Sequence, residues 1–410
     1  MKINSVFKYI SLASMLTAAA ASKAQSLVES AAQGASLERL NELLYRVAAS
    51  KDSIAKKALV DTFVNKVKAG GHAIVEDSTV CFIYNGKAQR VSVPSDLNGW
   101  NPSLDTMKRL PGTNFFHLRK TLDPAARIEY KLIVDSTWVL DPFNRQQAIG
   151  GYGPNSEVWM PRYSPSKEIE YRPDIKHGVI DTLAFKSKAL RRTHPVFVYT
   201  PPGYKTFRKP LPSIYVTDGG EYISLALMLN VLDNLIADKR IKPVIGIFID
   251  PRTDGRTSQT STRMTDYAMS DTFVHALLTD LQPKLLKKYR LSTKPEQTAI
   301  MGASLGGLIA TYAACTHPEV FGLCAAQSPA YWYGDSSIFR VVGSASKMSG
   351  KFYIDTGTIR DTQTEASKMK SLLISKGCTV AYGEYPEGHN WVNWRARLGK
   401  MLTYFWGTVR

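Results

Sequence analysis

Cysteine is scarce: Cys81, Cys315, Cys324 and Cys378 are the only four among 410 residues. They lack the close pairing of a zinc site, so no metal is expected, and they read as buried thiols or at most one bridge. Acid is also in short supply, with 35 Asp and Glu against 52 Lys and Arg and a formal net charge of +17. Such a field attracts anions. The basic residues are scattered rather than gathered in a stripe, and pairs such as Arg191-Arg192 and Lys287-Lys288 are short. A solvated basic surface is therefore expected, and no nucleic-acid partner. No uncharged apolar run reaches the ~20 residues of a spanning helix, which excludes a stable membrane anchor. Histidine is sparse as well, seven in all, and that narrows the search for a catalytic base below.

What is present begins with a leader-like segment. Lys2 and Lys8 precede an uncharged run from Tyr9 to Ser22, closing on Ser22-Lys23-Ala24 before Gln25. Residues 1–24 read as a cleavable signal peptide, which predicts a periplasmic or secreted protein. The length suggests two or three further units at ~150 residues each. From 35 to 67 Leu37, Leu40, Leu43, Leu44 and Val47 recur at helical spacing, so 25–70 is expected to be a helical segment. Gly70-Gly71 ends it. Short alternating runs at 80–84 and 88–93, with turn clusters such as Asn85-Gly86, predict a small immunoglobulin-like β-sandwich over 71–165. A Pro- and Ser-rich stretch at 163–173 reads as a linker. Apolar runs at 196–199, 213–217, 244–249, 297–301 and 351–355 then alternate with helical stretches at 224–237 and 271–289. The fold class of 166–410 is α/β with a mainly parallel sheet, its site at the carboxyl ends of the strands.

Within that unit Gly302-Ala303-Ser304-Leu305-Gly306 follows a strand-like run and precedes a helical one. This is the context of a nucleophile elbow, where small neighbours permit a strained turn that exposes the serine hydroxyl. A serine needs a base. Only His317 and His389 follow it; Pro318 marks His317 as a helix-end residue, leaving His389, in a loop past the strand-like run 379–385, as the candidate base. The carboxylate that orients the imidazole must lie between Ser304 and His389, and Asp361, in the loop after a strand, is preferred to Asp355 and Glu365. An oxyanion hole needs two backbone amides: Leu305, which follows the serine, and Gly220 in Asp218-Gly219-Gly220, with Gly219 as its neighbour.

These segments carry resemblances. Asn98-Gly99-Trp100, Glu129-Tyr130-Lys131, Asp135, Trp138, Asp141-Pro142 and Asn155-Ser156 resemble the early-set sandwich of glycogen-binding-type modules, in which exposed aromatics stack on sugars. Trp100 and Trp138 are the candidates here, although a core position is the expectation for tryptophan in a small sandwich. Tyr199-Thr200-Pro201-Pro202-Gly203-Tyr204, Asp218-Gly219-Gly220, the elbow, His317-Pro318-Glu319-Val320-Phe321-Gly322 and Gly388-His389-Asn390-Trp391 resemble the putative-esterase family of α/β hydrolases. Thr262-Arg263, Asp266-Tyr267 and Ser328-Pro329-Ala330-Tyr331-Trp332 are most similar to its enterochelin-esterase branch. The resemblance implies a serine carboxylesterase with Ser304, Asp361 and His389 as triad and neither metal nor organic cofactor. It also implies Arg263 and Trp332 at the substrate. Two substrate classes remain, an anionic catecholate siderophore ester or an aromatic hydroxycinnamoyl ester on polysaccharide. An acyltransferase or a catalytically silent binding protein on the same fold stays as the alternative. The acid loop Gly357-Thr358-Ile359-Arg360-Asp361 is one residue longer than the family's usual spacing.

Overall fold

The computed structural model describes residues 35–254, 258–345 and 348–408; the leader expected at 1–24 lies outside them. Two helices open the described chain, Leu37–Ala49 and Ser53–Gly70. Ser36 caps the first by accepting from the Arg39 amide and Asp52 caps the second through Ile54, while Gly71 ends it at φ 67°. Each cap satisfies a backbone group that the helix terminus would otherwise leave bare. The buried stripe Leu40, Leu43, Val47, Phe63 and Val67 packs on Ile74, Cys81, Ile83 and Phe115. The helical segment is thus fastened to the strands that follow it.

Those strands form a β-rich region of three small antiparallel sheets. One holds Thr79–Asn85 beside Phe115–Thr121, a second Arg127–Tyr130 beside Gly153–Trp159, and a third Leu132–Val134 beside Thr137–Val139. They share a core that includes Phe82, Phe116, Ile128 and Tyr130. Trp138 departs from expectation: its strand is an outer edge, and the side chain is 48% exposed rather than in the core. Trp100 is partly buried, its indole N–H donating to Asp96 at 3.2 Å.

The 163–173 stretch is not a free tether. Its short turn Lys167–Ile169 is docked by Asn234, whose side-chain amide donates to the carbonyls of Glu168 and Glu170.

The remaining chain builds one eight-stranded sheet, β1 Val179–Ser187, β2 Arg192–Thr200, β3 Ser213–Val216, β4 Ile245–Ile249, β5 Thr298–Ala303, β6 Leu323–Gln327, β7 Lys351–Gly357 and β8 Thr379–Tyr385. Their spatial order is β1-β2-β4-β3-β5-β6-β7-β8. The first two joins are antiparallel and the rest parallel. Parallel strands need crossovers, and the helices that supply them cover both faces. One face packs Leu277, Leu308, Ile309 and Leu373 against Ile247, Ile300 and Ile354; the other packs Val231, Leu235, Leu398 and Leu402 against Ile214, Phe248 and Met301. All four cysteines are free thiols. Among the described residues no helix is long and apolar enough to cross a membrane.

Candidate functional site

Ser304 sits between β5 and the helix Leu305–Thr316 at φ 57° and ψ −121°, a conformation that costs a non-glycine residue free energy. The turn is enforced by its neighbours. A Cβ on Gly302 would stand 2.0 Å from Thr217 Oγ1 and 2.4 Å from the Gly306 carbonyl carbon, so only glycine fits where these backbones meet. The Ser304 amide donates to the Gln327 carbonyl at 2.9 Å, which ties the elbow to the end of β6. Leu305 is the first residue of its helix, so its amide has no carbonyl one turn back to bond.

His389 lies in the loop between β8 and the helix Trp391–Trp406. Its Nδ1 meets Asp361 Oδ1 at 2.7 Å. The other carboxylate oxygen accepts from Ser328 Oγ and from the Gly357 amide, both at 2.6 Å. Burial works to raise the Asp361 carboxyl, but the hydrogen bond and charge of His389, together with those two donors, outweigh it and hold the pKa below the usual carboxylate value. Trp394 supports both partners, its ring edge-on to His389 at 5.0 Å and its indole N–H donating to Ser328 at 3.0 Å. Asp355, the alternative acid, lies inside β7, fully buried, bonded to Gln327 and pushed up to about 7 by burial. Its environment suits a proton rather than the charge an imidazolium needs. Glu365 is in the first turn of the helix Gln363–Ser375, and His317 ends the elbow helix beside Glu319, as expected.

Ser304, Asp361 and His389 line one open cleft of about 250 Å³, together with Trp332, Arg360, Thr362 and Glu365. Trp332, 57% exposed, is carried by a segment in which Gly334, Asp335 and Ser336 all take positive φ. Arg263 is spent on the fold instead: its Nε donates to both oxygens of Asp218, at 2.9 and 3.1 Å, and an Nη donates to the Ala303 carbonyl. It ties the end of β3 to the elbow from behind. Gly219 and Gly220 open the helix Gly219–Ser224 at that same strand end. A Cβ on Gly220 would lie 2.2 Å from an Asp250 carboxylate oxygen, and one on Gly219 2.4 Å from the Phe248 backbone. Position 219 therefore requires glycine, whereas a side chain at Gly220 would have to displace the Asp250 and Arg252 side-chain ends.

Sequence reasoning missed Ser328, Trp394 and Arg360. Ser328 and Trp332 stand four residues apart in the Ser328-Pro329-Ala330-Tyr331-Trp332 segment, so its serine was in view but its bond to Asp361 was not. Arg360, at φ 48°, belongs to the loop with the extra residue. Among the described residues no group of His, Cys, Asp and Glu has a metal-holding arrangement.

Several known proteins are similar to the chain. It is 24% identical over 364 residues to the iron(III) enterobactin esterase of Dickeya dadantii, covering 75% of this chain and 81% of that one. It is 26% identical over 251 residues to an endo-1,4-beta-xylanase/feruloyl esterase of Xylanibacter ruminicola, covering 58% of this chain and 33% of that one. The crystal structure of the Shigella flexneri enterobactin esterase superposes with a TM-score of 0.67 at 21% identity, covering 80% of this chain and 92% of that one. It shares the fold, including a β-rich region ahead of the large sheet. A family model described as "Putative esterase" matches residues 187–405. That match begins at the end of β1, closes in the last helix and spans every element that builds the cleft; on it the chain belongs to the putative esterase family, as an ester hydrolase on an α/β-hydrolase fold.

Proposed function

We propose that the chain is an exported serine carboxylesterase whose nucleophile is Ser304 and whose general base is His389, oriented by Asp361. The observation that carries this reading is the 2.7 Å Asp361–His389 bond on the wall of the cleft that also exposes Ser304. With Nδ1 bonded to the carboxylate, Nε2 is the nitrogen left to take a proton. Ser304 Oγ attacks the ester carbonyl carbon while its proton passes to His389 Nε2, and Asp361 stabilises the imidazolium. The oxyanion accepts from the Leu305 amide and the Gly220 amide. Collapse breaks the bond to the alcohol oxygen, which leaves with the proton from His389. Water then attacks the acyl-serine by the same route, releasing the acid and restoring Ser304.

The substrate class best supported is an anionic aromatic ester of the catecholate siderophore type. The Dickeya dadantii enzyme, aligned over three quarters of this chain, is an iron(III) enterobactin esterase. Exposed Trp332 offers an aromatic face and Arg360 a cation in the same cleft. Arg263 contributes from behind, by holding Asp218 ahead of the Gly219-Gly220 amides. The second reading, a hydroxycinnamoyl ester, rests on Trp332 alone and on a relative of which the chain spans only a third. The deciding experiment compares wild type and Ser304→Ala on nitrophenyl esters, methyl ferulate and a ferric tricatecholate trilactone. Loss of all turnover in Ser304→Ala with the trilactone as best wild-type substrate is expected. Retained turnover in Ser304→Ala would remove the nucleophile assignment, and preference for methyl ferulate would replace the substrate class.

A further inference from the structure

We infer that the β-rich region is a working part of the esterase site: its Arg127 and Asp96 are positioning residues that grip Asn390 and thereby hold the backbone of His389. The inference rests on His389 being the base. The residues on either side of His389 touch the β-rich region. Asn390 Oδ1 accepts from Arg127 Nη1 at 2.9 Å, and Asn390 Nδ2 donates to Asp96 Oδ2 at 3.2 Å. Gly388 lies so close that an added Cβ would stand 2.6 Å from Asp96 Cγ. At the start of the loop, the Arg127 amide donates to the Pro386 carbonyl at 3.1 Å.

The gripping groups are themselves built in. Arg127 is completely buried, paired with Glu157 at 2.6 Å and Glu129 at 3.0 Å. A guanidinium out of water is tolerable only when its donors are satisfied, and this one directs its remaining reach across the domain boundary. Asp96 accepts from the Glu129 amide, the Trp100 indole and Asn390. Adhesion alone needs none of this, since Ile359 already packs into the apolar core of the β-rich region. The Asp361 bond orients the imidazole within its loop; the grip on Asn390 sets where that loop stands relative to Ser304. Displacement of a catalytic base by about 1 Å can cost on the order of 10²-fold in rate.

Asn390 also caps the Trp391–Trp406 helix by accepting from the Asn393 amide, which offers a clean variant. Asn390→Ser keeps a good capping residue but is too short to reach Arg127 and Asp96. Expected are a kcat at least about 10-fold below wild type on a nitrophenyl ester, KM within about twofold and cooperative unfolding at a somewhat lower midpoint, since Arg127 Nη1 keeps Glu129 but loses one acceptor. The rate at which a fluorophosphonate labels Ser304 should fall in parallel. A folded Asn390→Ser with kcat within about twofold of wild type would overturn the inference.

Asn390→Asp is the second arm. It restores the cap and the acceptor for Arg127 but sets a carboxylate against Asp96. Burial and the charge of Glu129 already raise the Asp96 carboxyl, while Arg127 and the Trp100 indole lower it. Around Arg127 and Glu387 stand Glu157, Tyr163, and Arg395 and Arg397 from the helix beyond. The proton that Asp96 and the introduced carboxyl would share is lost as pH rises. The ratio of variant to wild-type kcat should therefore fall as pH rises through and above neutrality; a flat ratio overturns the inference even if Asn390→Ser does not fold. Dead Ser304→Ala beside a fully active Asn390→Ser rejects the grip alone, whereas active Ser304→Ala rejects the underlying mechanism.

Discussion

At the scale of single residues, two aspartates six apart show how environment assigns a role. Asp355 and Asp361 bracket the turn after β7, yet one is a buried strand residue driven towards its neutral form and the other is ionised by His389, Ser328 and the Gly357 amide. The linkage has a definite sign. A carboxyl whose folded pKa is depressed stabilises the protein above its unfolded value, and that contribution disappears as pH falls through the folded value. Asp361→Asn should therefore lower stability at neutral pH, with the gap to wild type closing as pH is lowered through and below the usual carboxylate range, at about 4. Urea unfolding at a series of pH values measures it; a gap that stays constant with pH would show that the Asp361 charge contributes nothing to stability. Turnover in the same variant should drop by about 10²–10⁴-fold, because the imidazole loses its orienting acceptor. The position of Asp361 in the loop after β7 was legible in the sequence, but the three groups bonded to its carboxylate were not, since they come from three different strand ends.

Among the elements, legibility followed side-chain chemistry. β3, β4, β5 and β7 appear in the sequence as apolar or β-branched runs because they are buried in a parallel sheet, and their observed bounds agree with the expected ones to within two residues. β6 escaped notice. Leu323-Cys324-Ala325-Ala326-Gln327 has no β-branched residue, and its small side chains suit a strand squeezed between neighbours and the elbow helix. β1 escaped for the opposite reason: it is an edge strand, largely exposed, with polar residues scattered along it. The long helical stretch expected at 271–289 is three joined pieces, with a π-helical turn at Leu277–Leu281 ahead of Pro283. Proline removes an amide from the ladder, and a wider turn accommodates the loss.

For the molecule as a whole, charge and compartment carry the remaining predictions. Without the leader's Lys2, Lys8 and Lys23 the formal net charge of +17 becomes +14, which should still speed encounter with an anionic ester, and salt screens such steering. Raising ionic strength from about 0.02 M to about 0.2 M should lower kcat/KM for the ferric tricatecholate trilactone several-fold and leave a neutral nitrophenyl ester within about twofold. Equal responses would mean that the basic surface does not guide substrate. The export proposal rests on the basic start, short apolar run and small-residue end of residues 1–24. Cell fractionation with N-terminal sequencing should find a mature chain beginning near Gln25 outside the cytoplasm; an intact Met1 on cytoplasmic protein would reject it.

The sequence by itself determined the α/β class, the strand-turn-helix around Ser304 and the loop positions of Asp361 and His389, because each depends on local order: turn chemistry, strand and helix period, and position along the chain. Only the tertiary structure decided what surrounds them. Arg263 is turned inward to Asp218, 45 residues away, Ser328 and Trp394 brace Asp361 and His389, and Asn390 is held by Arg127 and Asp96, 263 and 294 residues distant. Such partners are brought together by the packing of segments far apart along the chain, and no periodicity or motif within either segment records the encounter.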